Sequence, residues 1–145
     1  MLVAEVYGVF IARTEYSASP VVVLRAEDGR ILPIYIGFAE AASIYSAMNR
    51  FIPPRPMTHD LVVDILSKLN VKVEKVVVDD LIDNTFYAKL IVKHEEREIE
   101  IDARPSDSIA IALRIPCPIF VDQKILEEAG REDIPPNFRD FGEFS

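Results

Sequence analysis

Strand-like and helix-like periodicities succeed one another along this chain with no repeating βαβ rhythm, and that order constrains its fold most. Runs of strands with helices set between them favour an α+β fold over a doubly wound sheet. The expected architecture is a single domain with a mixed, mainly antiparallel sheet and about four helices. Leu2 to Ile11, rich in Val, Ile, Tyr and Phe, reads as a strand. Val21-Val22-Val23-Leu24 and the run Ile31 to Ile36 flank Glu27-Asp28-Gly29-Arg30. Asp-Gly between apolar runs predicts a hairpin, with Pro33 at an edge or bulge because it cannot donate to a ladder. Ala41, Ile44, Tyr45 and Met48 give one apolar face to a helix from Phe38 to Asn49. Prolines 53, 54 and 56 then impose a loop. A second helix follows from Thr58 to Leu69. Its expected apolar stripe is Leu61, Ile65 and Leu69 with Val62 and Leu66 beside them, and Asp64 and Lys68 form an outward pair.

Three strands come next, from Val71 to Val78, from Phe86 to Val92 and from Ile99 to Ala103. The first two are separated by an acidic turn over Asp79 to Asn84, and the third carries Glu98, Glu100 and Asp102 on its other face. The helix from Ser106 to Arg114 is apolar nearly all round, which predicts burial at a core or a subunit interface. Pro118 to Val121 reads as a short strand, and Asp122 N-caps a helix ended by Gly130. Residues 1–130 form the expected domain. Residues 131–145, polar and bearing Phe138, Phe141 and Phe144, read as a mobile tail or an arm that docks on a partner.

Half of the 145 residues are hydrophobic, enough for a sizeable core. No apolar run approaches the roughly 20 residues of a membrane span. The first residues lack a basic segment and a cleavage pattern, so a cytoplasmic location is expected. Cys117, between Pro116 and Pro118, excludes an internal disulfide and reads as a structural thiol rather than a nucleophile. The net charge of -8 argues against a protein that coats nucleic acid. It leaves room for one that meets nucleic acid through a local arginine patch or a bound cation. A single glutamine, no tryptophan and 28% charged residues suggest a heat-adapted source.

Chemistry concentrates in two short elements, Arg55-Pro56-Met57-Thr58-His59-Asp60 and Arg104-Pro105-Ser106-Asp107, each placed just before a helical run. A helix start offers free N–H groups and the positive end of a dipole. Thr58 and Ser106 suit a cap, and Asp60 and Asp107 a first turn, so plain helix chemistry accounts for them as well as a site does. His59 is not needed by any helix start, and its ordinary pKa near 6.5 suits proton transfer. Arg55 and Arg104 face the unfavourable end of a dipole. Either a bound anion or an acid such as Asp60, Asp102 or Asp107 offsets that. Glu40, in the first turn of its helix, joins the site if that turn opens on it. Arg50 beside Phe51 would make a stacking platform for a base if Phe51 is exposed, though burial under the loop is expected. No Walker A loop, Gly-x-Gly-x-x-Gly, His-Glu-x-x-His or Gly-x-Ser-x-Gly is present. With only His59 and His94, a histidine-rich zinc site is not expected, and no organic cofactor is expected either. Carboxylate-bound Mg²⁺ or Mn²⁺ suits the acids better.

The two Arg-Pro blocks, with Asp102-Ala103-Arg104-Pro105-Ser106-Asp107 the more specific, resemble the bifunctional nuclease family, as does Leu32-Pro33-Ile34-Tyr35-Ile36-Gly37 with Glu40-Ala41. The resemblance runs from about Val3 to Gly130. It implies an α+β domain, a homodimer, and an activity on DNA and RNA. The motif positions it marks are Glu40, Arg55, Thr58, His59, Asp60, Asp102, Arg104, Ser106 and Asp107. In a nuclease, Arg55 and Arg104, with Thr58 and Ser106, would hold the scissile phosphate. Glu40, Asp60, Asp102 and Asp107 would hold the divalent ion, while His59, Asp60 and Asp107 would carry the chemistry. The other class is a non-enzymatic dimeric module that binds a small anion or a partner protein in the same pocket.

Overall fold

The computed structural model describes residues 1–144; Ser145 lies outside it. The elements run β1 (Leu2–Arg13), β2 (Ala18–Ala26), β3 (Ile31–Tyr35), α1 (Phe38–Met48), α2 (Thr58–Lys68), β4 (Lys72–Ile82), β5 (Thr85–His94), β6 (Arg97–Ala103), α3 (Pro105–Arg114), β7 (Ile119–Val121), α4 (Gln123–Ala129) and β8 (Phe138–Asp140). A 3-10 turn, Phe141–Phe144, follows. The strands make one mixed, mostly antiparallel sheet in the order β3-β2-β1-β7-β4-β5-β6, with β8 beside the far half of β1. Among the described residues, only β4 and β7 run parallel. This is the α+β fold expected from the order of periodicities. Among the described residues, no helix is long and apolar enough to cross a membrane.

The turns follow local chemistry. Gly29 takes φ +92° in the β2–β3 hairpin, a conformation that L side chains rarely adopt. Asp28 accepts a hydrogen bond from the Arg30 backbone N–H at 3.0 Å, which tightens that turn. Pro33 lies on the edge strand β3, as its missing donor requires. The acidic segment from Asp79 is strand rather than turn. A bulge between Val78 and Asp80 lets β4 continue to Ile82, and Lys89 and Lys124 face the two aspartates at 3.5 and 3.8 Å. The turn shrinks to Asp83-Asn84, both at positive φ, the type I′ geometry that matches strand twist.

The main core lies between the sheet and the helices. Val22, Leu24, Val76 and Leu90 pack against Ile44 of α1 and Ile109 of α3. α3 is buried along nearly its whole length, as its all-round apolar sequence requires. α2 turns differently from expectation. Val62, Val63 and Leu66 pack on the core while Leu61, Ile65 and Leu69 are exposed. The cause is His59, which is buried, so the residues three, four and seven positions on share its face.

The segment after Gly130 is no free tail. β2 is buried on both faces, and its Val21 and Val23 sit in a second cluster with Ala12, Ile31 and Phe138. Arg131 bridges Ile31, β8 pairs with Phe10–Ala12, and the Phe141 ring meets Tyr45 at 5.5 Å. The apolar second face of β2 therefore recruits residues from the end of the same chain. Cys117 is half-buried, and burial pushes its thiol up from the ordinary value. If Phe138 closes this second core, Phe138→Ala is expected to cost about 3 kcal/mol in chemical denaturation. A change under about 0.5 kcal/mol would mean that the segment contributes no packing.

Candidate functional site

α3 begins where β6 ends. Arg104, in extended conformation, is its N-cap residue, and Pro105 fills the first turn, where a missing N–H costs nothing. Neither Ser106 nor Thr58 caps a helix. Ser106 lies inside α3, Thr58 is the first residue of α2, and Met57 is the N-cap residue there. Asp60 performs the capping instead, accepting the Met57 backbone N–H at 3.0 Å.

Asp107 and Arg114 stand seven residues apart on α3, on one face; Asp107 reaches α2, and Arg114 reaches both α1 and α2. Asp107 Oδ1 is 2.8 Å from His59 Nε2, and Arg104 Nε donates to Asp107 Oδ2 at 3.1 Å. Arg104 also donates to Glu40 Oε1 at 3.2 Å. The other ring nitrogen, His59 Nδ1, is 2.6 Å from Ser43 Oγ on α1. Arg114 donates to Ser43 Oγ at 3.1 Å, to Asp60 Oδ1 at 2.8 Å and to the Ala110 carbonyl at 3.0 Å. One chain of polar contacts thus runs Glu40–Arg104–Asp107–His59–Ser43–Arg114–Asp60. Gly37 permits the Glu40 end of it, because a Cβ there would meet the Glu40 carboxylate at 2.9 Å.

Burial and charge set the protonation of this chain. Burial pushes the Asp107 carboxyl up, but hydrogen bonds from His59 and Arg104 outweigh it and hold the group below its ordinary value. The hydrogen bond from Arg114 lowers Asp60, against the opposing effect of burial. Arg104 is raised, first by its hydrogen bond to Asp107 and then by the charge of Glu40. Asp107 is therefore a carboxylate that only accepts. In neutral His59 the proton then belongs on Nε2, an assignment that follows from the partners, and Nδ1 is left to accept from Ser43.

A cavity of about 280 Å³ opens on the network, lined by Glu40, Ser43, Thr58, His59, Arg104 and Asp107. A larger cleft of about 650 Å³ shares Glu40 and Arg104 and also touches Ser106. A further cleft, of about 510 Å³, joins Asp60 and Arg114 to Arg50 and Phe51. Phe51 is 61% exposed, not buried under its loop.

The sequence-predicted residues divide accordingly. Glu40, His59, Asp60, Arg104 and Asp107 belong to the network, and Thr58 lies at its rim. Arg55 does not join it: the residue is exposed, with no hydrogen bond or ion pair among the described residues. Asp102 points elsewhere on β6, exposed and 3.9 Å from Lys89. The acids expected to hold Mg²⁺ or Mn²⁺ do not converge. Both oxygens of Asp60 and of Asp107 are taken by donors, and Asp102 is absent from the site. Among the described residues no three His, Cys, Asp or Glu side chains form a metal-binding group. Sequence reasoning missed Ser43 and Arg114. Arg114 had a signal, a lone cation in the last turn of an otherwise apolar helix. Ser43 had only its place three residues after Glu40.

The lowered carboxyls of Asp60 and Asp107 release protons more readily in the folded than in the unfolded chain, whose aspartates titrate near 3.9. Their stabilisation is complete above that value and is lost as pH falls through the lowered folded values. Asp60→Asn is expected to lose about 1–3 kcal/mol at pH 7 and to approach the wild-type melting temperature in acid. Melting curves that stay parallel from pH 7 to 3 would remove Asp60 from the acid response.

The family model for the bifunctional nuclease domain matches residues 22–133, a stretch that contains every member of the network. An uncharacterised protein of Mycobacterium tuberculosis strain H37Rv is 47% identical over 112 residues, covering 77% of this chain and 66% of that protein. Bifunctional nuclease 1 of Oryza sativa subsp. japonica is 28% identical over 120 residues, 79% of this chain and 36% of the plant protein. Bifunctional nuclease 1 of Arabidopsis thaliana is 29% identical over 121 residues, 80% of this chain and 37% of its own length. The matched part of the chain thus corresponds to about two thirds of the mycobacterial relative and little more than a third of the plant ones. By the extent of the family match, the chain belongs to the bifunctional nuclease domain family.

Proposed function

We propose that this chain is a nuclease that hydrolyses phosphodiester bonds of DNA, RNA or both at the cavity over His59. One observation carries the assignment: a buried histidine, oriented by Asp107, opens on the same small cavity as an arginine whose side chain is 66% exposed. Arg104 spends its Nε and one terminal nitrogen on Asp107 and Glu40. Its remaining donors are free to meet a phosphate oxygen as a planar fork. His59 exchanges one proton with the reacting group, while Asp107 keeps the ring in one orientation and balances the charge it gains. Phe51 with Arg50, exposed beside the Asp60 end of the network, suits stacking on an unpaired base. The net charge of -8 gives no general pull on nucleic acid, so binding is expected to be local and weak.

Labelled single-stranded DNA and RNA, incubated with highly purified protein in Mg²⁺, Mn²⁺ or EDTA, test the proposal. His59→Asn is expected to slow cleavage by about 10²–10⁴-fold with its fold retained. Arg104→Ala is expected to weaken turnover far more than stability. Cleavage that is equal in wild type and both variants would assign the activity to a contaminant. No cleavage, with a melting temperature raised by phosphate or nucleotide, would instead leave an anion-binding module. The homodimer expected from the family is also part of the proposal. The exposed Leu61, Ile65 and Leu69 of α2 support it, and light scattering is expected to give twice the chain mass.

A further inference from the structure

We propose that Ser43 is the nucleophile of this site and that cleavage passes through a covalent phosphoseryl intermediate, an inference that rests on the phosphodiesterase assignment above. Two serines in the helices show the contrast. Ser108, fully buried in α3, turns its hydroxyl back to the Arg104 carbonyl of its own helix at 3.1 Å, the ordinary way to satisfy a buried serine. Ser43 leaves its helix instead. Its Oγ lies 2.6 Å from His59 Nδ1 and 3.1 Å from an Arg114 nitrogen, and it lines the cavity with Arg104.

The direction of each proton is fixed by the partners. Asp107 accepts from His59 Nε2, so neutral His59 presents a bare Nδ1, and the Ser43 hydroxyl donates to it. Arg114 can only donate, so its N–H points at a Ser43 lone pair and favours the alkoxide. The guanidinium is held still by Asp60 and the Ala110 carbonyl, with 11% of its side chain exposed. A hydroxyl with a base on one side, a fixed cation on the other, and an orienting acid behind the base is the arrangement that activates a serine. Here the ring faces the serine through Nδ1.

The reaction balances without a further reagent than water. Ser43 Oγ forms a bond to phosphorus and passes its proton to His59 Nδ1. The bond from phosphorus to the leaving oxygen, opposite Oγ in the in-line displacement, breaks, and that oxygen takes the electron pair and a proton from a water, which becomes hydroxide. That hydroxide attacks phosphorus from the side the leaving group vacated, while the proton stays on Nδ1. The bond from phosphorus to Oγ breaks, and Ser43 recovers its proton. One phosphodiester and one water yield one alcohol and one phosphate monoester.

Two measurements on the full chain test this. The first treats wild type with diisopropyl fluorophosphate, which phosphorylates an activated serine with loss of fluoride, and maps the adduct by peptide mass spectrometry. The second follows turnover of bis(p-nitrophenyl) phosphate by wild type and Ser43→Ala at matched melting temperatures. The expected results are an adduct on Ser43, absent in His59→Asn, and a loss of at least about 10³-fold in turnover by Ser43→Ala. An adduct on Ser43 without turnover of any phosphodiester would keep the nucleophile and overturn the nuclease assignment. Turnover by Ser43→Ala within about tenfold of wild type would overturn the nucleophile and keep the nuclease. No adduct and no turnover would overturn both. The labelling is read on wild type, so it holds even if Ser43→Ala does not fold.

Discussion

The burial of α3 is the constraint on which the rest depends. A helix that is apolar nearly all round must be covered on every side, and α1, α2, β4 and β5 do so. Two of its side chains are nevertheless charged and turned inward, Asp107 in the first turn and Arg114 in the last. Arg114, with 11% of its side chain exposed, would cost several kcal/mol without a partner, and Asp107, a third exposed, would cost less because water screens it. The helices packed on α3 must therefore present groups of the right sign and spacing. His59, Asp60 and Ser43 are those groups, and their positions set the rotation of α2 and the face that α1 turns to the core.

The same network accounts for stability and for the proposed chemistry, and the two demands differ. For stability, each group needs only a partner. For catalysis, the proton positions must be directional, with one bare ring nitrogen facing a hydroxyl. The carboxylate of Asp107 meets both demands, because His59 and Arg104 hold it ionised against the opposing effect of burial. Substituting it removes an orienting acceptor and also leaves Arg104 without its first partner. Loss of activity at Asp107 alone is thus a poor guide to mechanism, and the proton-bearing atoms of Ser43 and His59 are the informative ones.

Much of this was legible in the sequence, and the failures have physical causes. The Asp28-Gly29 hairpin, the edge position of Pro33 and the burial of α3 follow from short-range chemistry that tertiary context does not override. His59 and Arg104 stood out because no helix start needs them. Arg55 read the same as Arg104, yet it lies in a proline loop rather than at a strand end, and proline loops do not aim a side chain. α2 carries two overlapping apolar stripes, so periodicity alone could not choose between them; the buried imidazole did. Ser43 was invisible because a serine on a helix gives no signal until its neighbours in space are known. The segment after Gly130 looked detached because its phenylalanines are separated by polar residues. The matching feature lay a hundred residues earlier, in a valine run too continuous for a strand with one wet face.

β1 draws partners from opposite ends of the molecule: β2 directly after it, and β7 and β8 more than a hundred residues later. The central seam of the sheet is therefore closed by its most distant contacts. Such topologies pay their loop-closure entropy before most of their reward arrives, which slows folding. During synthesis, the first strand waits with one edge unpaired until residues 119–121 and 138–140 have been made. That exposed edge, rather than the polar site, is where this chain is most open to mispairing with a neighbour before its sheet closes.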